Sequence, residues 1–394
     1  MDRRDAIIVG SGPAGSATAL GLAAAAPALA GRTLLLDKAR HPRDKTCAGG
    51  VIPGAVEALA GLGIPLDVPH ATVDRAAVGI PGRRIDVAGR DLCHVVRRRE
   101  FDARLAWAAR DRGVDLREDV RVLHVARDGA GVRVETTRGT YWAPVVVGAD
   151  GSGSLVRRAL VAGPQGPVAR AVMADVPIAD AAWDGFAARR YDFDFTTCPT
   201  GLRGYRWSFP CVIDGVPHVN LGAYALPPVD GRRVRAELDG EAARIGARPA
   251  SWKAFPIHTY APDAALAAPH VLLVGDAAGI DPLMGEGISY ALEYGLLAAA
   301  AIVDAHARRD FALAAYAGAV HRGPLGRKLR RLAFATRVFY GPRAARWLRV
   351  AGVSARARQI GLAWYNGVGD WDRRSKRALL RAWLLGPLPD VAPL

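Results

Sequence analysis

The sequence predicts an α/β protein in three parts: a Rossmann-like nucleotide-binding unit, an antiparallel sheet-rich unit inserted into it, and a basic helical C-terminal region. Three observations predict it. The apolar run Asp5–Val9 leads through Gly10-Ser-Gly12-Pro-Ala-Gly15 into an Ala/Leu-rich helix and a second apolar run, Thr33–Leu36, a β–turn–α–β pattern. Two more apolar runs, Pro144–Ala149 and His270–Val274, lead into Asp150-Gly151 and Gly275-Asp276 and read as buried parallel strands. Between them, from about Arg170, strand-like segments rich in aromatics take over.

Length and composition bound the reading. A chain of 394 residues exceeds a typical single core. The expected division is 1–70, 96–165 and 266–322 for the nucleotide unit, 71–95 and 166–265 for the inserted unit, and 323–394 for the C-terminal region. Half the residues are apolar and mean hydropathy is +0.08, which suits a sizeable core without a membrane bundle. Cys47, Cys93, Cys198 and Cys211 show no CxxC or Cys/His ligand spacing, so no metal and no disulfide framework is expected. A reducing, cytoplasmic setting follows. Arg3, Arg4 and the stretch Ala17–Ala30 superficially resemble a signal peptide. Gly10, Gly12 and Gly15 interrupt that segment and Pro27 ends it, so none is expected. No uninterrupted apolar run reaches about 18 residues, so no spanning helix is expected.

The net charge of +15 is concentrated: Arg322–Trp383 holds sixteen Lys/Arg against two Asp/Glu. A nucleic acid, an anionic membrane, an acidic partner or a plain solvated face would each account for it. Trp347, Trp364, Trp371 and Trp383 interleave with the arginines, as in helices lying at an anionic lipid surface. Peripheral membrane contact is therefore the expectation for this region, and nucleic acid is not.

Along the chain, helical periodicity appears at Pro53–Leu62 and Arg99–Ala109, with short strands around Gly/Pro turns over Ala76–Val96. Val120–Ala126 and Gly131–Thr137 read as strands, and a helix begins near Ser154. Ala171–Ile178, Arg190–Phe195, Tyr205–Phe209 and Val216–Tyr224 read as the inserted sheet, with Asp214-Gly215 as a hairpin turn. A long helix spans about Gly287–Ala307, and basic helices broken by Gly and Pro follow.

The glycine fingerprint has a mechanism. Gly10 permits the tight turn, Gly12 lets the backbone approach a pyrophosphate, and Gly15 lets helix and strand pack closely. The helix start at Pro13 and Ala14 offers free N–H groups and a positive dipole end to phosphates. Asp37, closing the second strand, with Lys38 beside it, is placed to bind ribose hydroxyls. The spacing from fingerprint to Asp37 is longer than usual, and the linker Ala26–Gly31 absorbs the difference.

The set GxGxxG, then VVVGADG at 145–151, then VLLVGDAAGIDPLMGEG at 271–287 resembles the para-hydroxybenzoate hydroxylase-type flavoproteins. That resemblance implies FAD bound extended in a GR2-type flavoprotein fold, with Asp150 and Gly151 in the cofactor site. It implies that Gly275 and Asp276 meet the ribityl chain. The segment Pro282, Gly285, Gly287 and Ile288 would face the flavin ring, where a helix N-terminus favours negative charge. Arg98 in RREFD matches the family arginine near the phosphates, with Arg97 and Arg99 as rival assignments.

A narrower resemblance covers residues 5 to about 330. LLLDKARHPRDKTCAGGVIPGAV is similar to the Arg-x-Lys-x-Cys-Gly-Gly segment of the geranylgeranyl reductase family, and GYRWSFP at 204–210 to its Tyr-x-Trp-x-Phe-Pro motif. Cys47-Ala48-Gly49-Gly50 stands where family members often carry Cys-Gly-Gly-Gly. Alternation on a strand puts Tyr205, Trp207 and Phe209 on one face, to wall a long apolar cavity or simply to pack the sheet; the attached flavin unit favours the cavity. The candidate catalytic residues are Cys47, Tyr205 and Trp207, and Lys45, Cys47, Ala48 and Gly49 are also read as cofactor-contacting. Cys47 reads as a buried hydrophobe, a nucleophile or, beside a flavin, a weak acid. Arg43 and Lys45 would touch phosphates of FAD or NADPH, and Gly49 and Gly50 would let the loop pass close to the ring system. His41 and His218 carry no assignment.

The resemblance implies a reductase that adds hydride from reduced FAD to a prenyl C=C bond, with the proton coming from Cys47, a tyrosine or water. With no second GxGxxG unit, NAD(P)H is expected to act as a transient reductant, unless an electron-donor protein serves instead. The alternative on the same scaffold is a monooxygenase acting on an aromatic or polyketide-like substrate. A flavin halogenase ranks lower because its Trp-x-Trp-x-Ile-Pro segment is absent.

Overall fold

The computed structural model describes residues 1–199 and 201–353. Trp364, Trp371 and Trp383, and with them most of the expected basic region, lie outside the described residues. The central sheet has six strands in the order Ala267–Ala268, Val271–Leu273, Val146–Gly148, Ala6–Val9, Thr33–Leu36, Asp115–Arg117, parallel throughout except for the first pair. The middle strands are buried on both faces, which is why they read as unbroken apolar runs and not as alternation. The strand order puts the turns after Val9, Gly148 and Leu273 side by side at one edge, so the three flavoprotein motifs meet there.

One face of this sheet is covered by the helices Pro13–Ala25 and Ile288–Arg308, which pack on each other. By length and composition Ile288–Arg308 could cross a membrane, but 61% of its apolar window is buried inside the protein. Its apolarity belongs to the core. A separate four-stranded sheet, Asp2–Arg3 with Gly139–Ala143, Val132–Thr136 and Val122–Arg127, caps the unit; its strand Gly139–Ala143 was not legible as a strand in the sequence.

The inserted sheet has eight strands, ordered Lys253–His258, Val168–Pro177, Val216–Ala225, Gly204–Ile213, Arg190–Asp194, His70–Ile80, Arg83–Val96, Gly50–Val51. Two features differ from expectation. Ala76–Val96 is not a set of short strands but part of one long hairpin turning at Pro81-Gly82, since both arms alternate toward the same buried face. Gly50–Val51, expected in the nucleotide unit, pairs with Val95 and His94 in the larger sheet. Asp214 and Gly215, both at positive φ, form the two-residue turn expected between Ile213 and Val216. The helix Gly231–Arg244, unread in the sequence, covers the sheet's outer face. Its signals were present: Asp230 accepts from the N–H groups of Arg232 and Arg233 as N-cap, and Val234, Leu238 and Ala242 recur every fourth residue.

Candidate functional site

The nucleotide end of the crevice is built by the fingerprint. A Cβ on Gly15 would stand 1.9 Å from the Gly10 carbonyl oxygen, so helix and strand can touch there only through glycine. Gly12 is different. Its φ of −66° suits any residue, and a Cβ there would meet only the Arg43 guanidinium, at 3.9 Å. The protein's own packing leaves this position open, while the helix Pro13–Ala25 begins with no side-chain cap on its N–H donors. An open cradle over uncapped donors fits a pyrophosphate.

Asp37 lies at the far side of this cradle. It accepts from the Ser11 N–H at 3.0 Å, the Ser11 hydroxyl at 2.6 Å and the Ala39 N–H at 2.9 Å, and faces Arg43 at 3.6 Å. Burial would raise its pKa, but Arg43 and these hydrogen bonds outweigh it and hold the carboxyl below its ordinary range. His41 completes the group, with Nδ1 2.7 Å from Glu118 and Nε2 3.3 Å from the Ser11 hydroxyl. Lys38 is exposed.

Arg43 bridges onward to Asp102 at 3.2 Å, and Asp102 receives a two-pronged contact from Arg98 at 2.6 and 2.9 Å. Burial alone would lower the Arg98 pKa; Asp102 and the Cys47 thiol beside it raise it instead, and the guanidinium stays charged. A line of charge therefore runs from Asp37 through Arg43, Asp102 and Arg98 to Cys47. Of the three rival arginines, Arg98 lines the cavity, while Arg97 turns to Asp175 at 3.0 Å.

Asp150 does a local job. Its carboxylate accepts from the Ser154 hydroxyl at 2.5 Å and from the N–H groups of Leu155 and Val156, closing the start of the helix Leu155–Leu160. Gly151, at φ +79°, has open space above it. Asp276 reaches the cavity with one oxygen held by the Ser152 hydroxyl at 2.9 Å. Ser152 is fixed in turn by the His258 N–H at 3.2 Å, and Arg157 donates to the Ser152 carbonyl at 2.6 Å.

The cavity lies between the start of the helix Ile288–Arg308, the segment 45–50 and the inserted sheet. Cys47 and Ala48 line it, and the Cys47 sulfur accepts from the Gly49 N–H at 3.3 Å. Gly49 is required by the sheet: at φ +83° it sets its backbone against Val96, where a Cβ would fall 2.0 Å from the carbonyl oxygen. Lys45 points into the cavity with its ammonium 2.9 Å from the Phe255 ring centre. Burial, with Arg98 nearby, pushes its pKa down to about 8. The cation at the phosphate cradle is Arg43; Lys45 serves the cavity.

Tyr205, Trp207 and Phe209 share one face and line the cavity; Arg206 points away to Asp194 and Glu237. The Trp207 indole N–H donates to Asn220 at 2.7 Å, and Asn220 donates to Asp175 at 2.6 Å. Three tyrosines then clamp the loop before the long helix. Tyr224 donates to the Pro282 carbonyl at 3.0 Å, Tyr340 to Leu283 at 2.9 Å and Tyr205 to Met284 at 2.5 Å. Burial raises the Tyr205 hydroxyl further from ionisation. Asp281 accepts the Leu283 and Met284 N–H groups at 2.7 and 3.1 Å, so both sides of this backbone are held. Glu286, between Gly285 and Gly287, accepts from the Ser289 N–H at 3.0 Å at the helix start. Burial raises both carboxyls, Asp281 and Glu286, to about 7.

The clamp and these two acids were missed in the sequence. Tyr340 meets Leu283 across 57 residues, and no local pattern announces such a partner. The acids had a signal, since IDPLMGEG sets two carboxyls among apolar and glycine residues ahead of a buried helix. The His218 ring meets the nearby Val216 carbonyl at 2.9 Å. Among the described residues no cluster of His, Cys, Asp and Glu suits a metal ion.

The FAD binding domain family matches residues 3–303. A menaquinone reductase from Mycolicibacterium smegmatis is 31% identical over 330 residues, 75% of this chain and 76% of that protein. A digeranylgeranylglycerophospholipid reductase from Methanosphaerula palustris is 26% identical over 351 residues, 79% of each. Among solved structures, a geranylgeranyl bacteriochlorophyll reductase-like protein from Thermoplasma acidophilum superposes with a TM-score of 0.76 at 21% identity, covering 97% of this chain and 96% of that one. A flavin-dependent brominase shares the fold too, at a TM-score of 0.74 and 19% identity over 96% and 97% of the two chains. The resemblance to geranylgeranyl reductases read from the motifs is thus borne out.

Proposed function

From the premise that the chain belongs to the FAD binding domain family and is a flavin-dependent oxidoreductase, we propose that it saturates C=C bonds of a geranylgeranyl-type lipid or isoprenoid. The observation that carries this reading is the cavity wall. Tyr205, Trp207 and Phe209 stand in a row across from Cys47 and the start of the long helix, an aromatic slot that suits a slender apolar chain. The relatives named for menaquinone and for digeranylgeranylglycerophospholipid fit it, because both compounds carry isoprenoid chains.

Gly12, Arg43, Asp37 and Asp276 would hold FAD, which when bound and reduced supplies a hydride. The chain's own residues do the rest. Phe255, Met173 and the aromatic row exclude water from the slot. An isolated C=C accepts hydride poorly, so a proton must reach the second carbon. Cys47 holds that proton on its sulfur, at the cavity wall beside Arg98. Tyr205, its hydroxyl committed to Met284, fixes the loop and presents its ring to the chain. Electrons reach the site from NAD(P)H bound transiently, or from an electron-donor protein.

The test is product analysis. The holoprotein, incubated without oxygen with NADPH and a geranylgeranyl lipid, should yield a product heavier by two hydrogens per bond reduced. A product that forms only in air and gains one oxygen atom would replace this reading with the monooxygenase.

A further inference from the structure

Given the prenyl slot proposed above, on which the inference rests, we propose that Gly222 sets the depth of that slot through Trp207 and so admits methyl-branched chains. Strand register puts the two residues together. Trp207, Gly222 and Met173 stand opposite one another on the neighbouring strands Gly204–Ile213, Val216–Ala225 and Val168–Pro177, so they share the cavity face. The rows on either side pair Tyr205 with Tyr224 and Phe209 with Asn220. Gly222 is thus the bare position in the wall between Trp207 and Met173. Its backbone lies outside the left-handed region, so its conformation calls for no glycine. A glycine inside a strand weakens the strand, and its usual reason is that another group needs the space.

The indole takes that space. A Cβ on Gly222 would fall 2.1 Å from Trp207 Cζ2, 2.4 Å from Cε2 and 2.6 Å from Cη2. The six-membered ring therefore lies across the strand, on the Gly222 backbone, where any other side chain would begin. It is held there. The indole N–H donates to Asn220 Oδ1 at 2.7 Å, and the fully buried Asn220 donates to Asp175 at 2.6 Å. Tyr205 and Phe209 flank the indole with ring centroids 6.0 and 6.4 Å away. With backbone beneath it and rings on two sides, added bulk at Gly222 lifts the indole into the cavity. Ordinary contact with a Cβ requires a lift of about 1.4 Å, the scale of one carbon–carbon bond. A methyl branch needs that much depth. A prenyl chain carries such a branch on every fourth backbone carbon, and a straight alkyl chain carries none.

Titration calorimetry of the oxidised holoprotein tests it, with no electrons supplied. The probes are fully hydrogenated geranylgeraniol and hexadecanol, which share a backbone length and differ only in methyl branches. Wild type should bind the branched alcohol at least as tightly as the straight one. Gly222→Ala should weaken the branched alcohol about tenfold and the straight one less than about twofold. Adding Trp207→Phe to Gly222→Ala should bring the branched alcohol back to within about threefold of Trp207→Phe alone, because the smaller ring clears the new methyl. If Gly222→Ala fails to fold, this double variant should recover the circular dichroism of wild type. A preference unchanged in Gly222→Ala would overturn the proposal, as would a double variant that binds no better than the single one. A double variant that also fails to fold would place the need for glycine elsewhere, and wild type that binds neither alcohol would empty the slot; each overturns it too. Turnover is a separate matter. A wild type that shows the expected shift but reduces no geranylgeranyl lipid would remove the reductase reading alone. Reduction by wild type with no shift in Gly222→Ala would remove this inference alone.

Discussion

The two ends of the crevice hold their acids in opposite ways. At the nucleotide end, Asp37 is buried yet kept ionised by Arg43, the Ser11 hydroxyl and two N–H groups. At the cavity end, burial raises Asp281 and Glu286 to about 7. One end is therefore a fixed anion opposite an open cradle, suited to hold hydroxyls and phosphates. The other is a buried region where desolvation shifts carboxyl titration up toward neutrality. Binding and chemistry are separated along one crevice by the electrostatics of each end.

Several substitutions would break or sharpen this contrast. The largest effect is expected at Gly12. Gly12→Val should leave the fold intact, because φ is ordinary and the space is open, yet cut bound flavin by more than about 100-fold, roughly 3 kcal/mol of lost contact. Absorbance of the purified protein near the flavin bands checks it. Gly15→Ala is the control: its Cβ meets backbone, so it should lower the melting temperature as well.

Cys47→Ala comes next. Turnover should fall about 100-fold, the scale of a lost general acid, while flavin content stays unchanged. Loss of flavin in this variant would assign Cys47 to cofactor binding or folding.

The pH dependence of stability separates the ends by sign. Asp281 and Glu286 have folded pKa values near 7, above their unfolded values. Their contribution is most favourable below about pH 4 and is lost as pH rises toward 7. Asp37 runs the other way: its contribution is present above its unfolded value and is lost as pH falls through its lowered pKa. Asp281→Asn should flatten the decline between about pH 4 and 7 by on the order of 4 kcal/mol, seen in thermal melts. A decline unaltered by the substitution would remove Asp281 from the account.

The smallest effect is expected at Tyr340. Tyr340→Phe removes one hydrogen bond to the loop before the helix Ile288–Arg308, worth about 1 kcal/mol. A purely structural tyrosine would shift only the melting temperature. A positioning one should also shift the flavin absorption maximum and lower kcat with KM little changed.

The same contrast explains what could be read in the sequence. The nucleotide end was legible because its jobs are local: Gly10, Gly12 and Gly15 lie within one turn and Asp37 closes the next strand. Cys47, Tyr205 and Trp207 were legible as residues, and the structure gathers them at one cavity. Their partners were not, because Arg98, Met284 and Asn220 arrive from other segments and only the fold sets them in contact. Gly49 shows the limit from the other side. Its glycine suggested a loop passing a ring system, but the Val96 carbonyl is what demands it. Asp150 was read as a ligand to the cofactor; the Leu155 and Val156 N–H groups that its carboxylate accepts at the helix start were not part of that reading.

On the proposed function, the cavity end delivers reducing power to a prenyl double bond. The most direct measurement is anaerobic reoxidation. The holoprotein is reduced with dithionite, freed of excess reductant, and mixed with a geranylgeranyl lipid in the absence of oxygen. The oxidised flavin band should return in proportion to the double bonds supplied, and more slowly in Cys47→Ala. A band that stays bleached until air is admitted would contradict it.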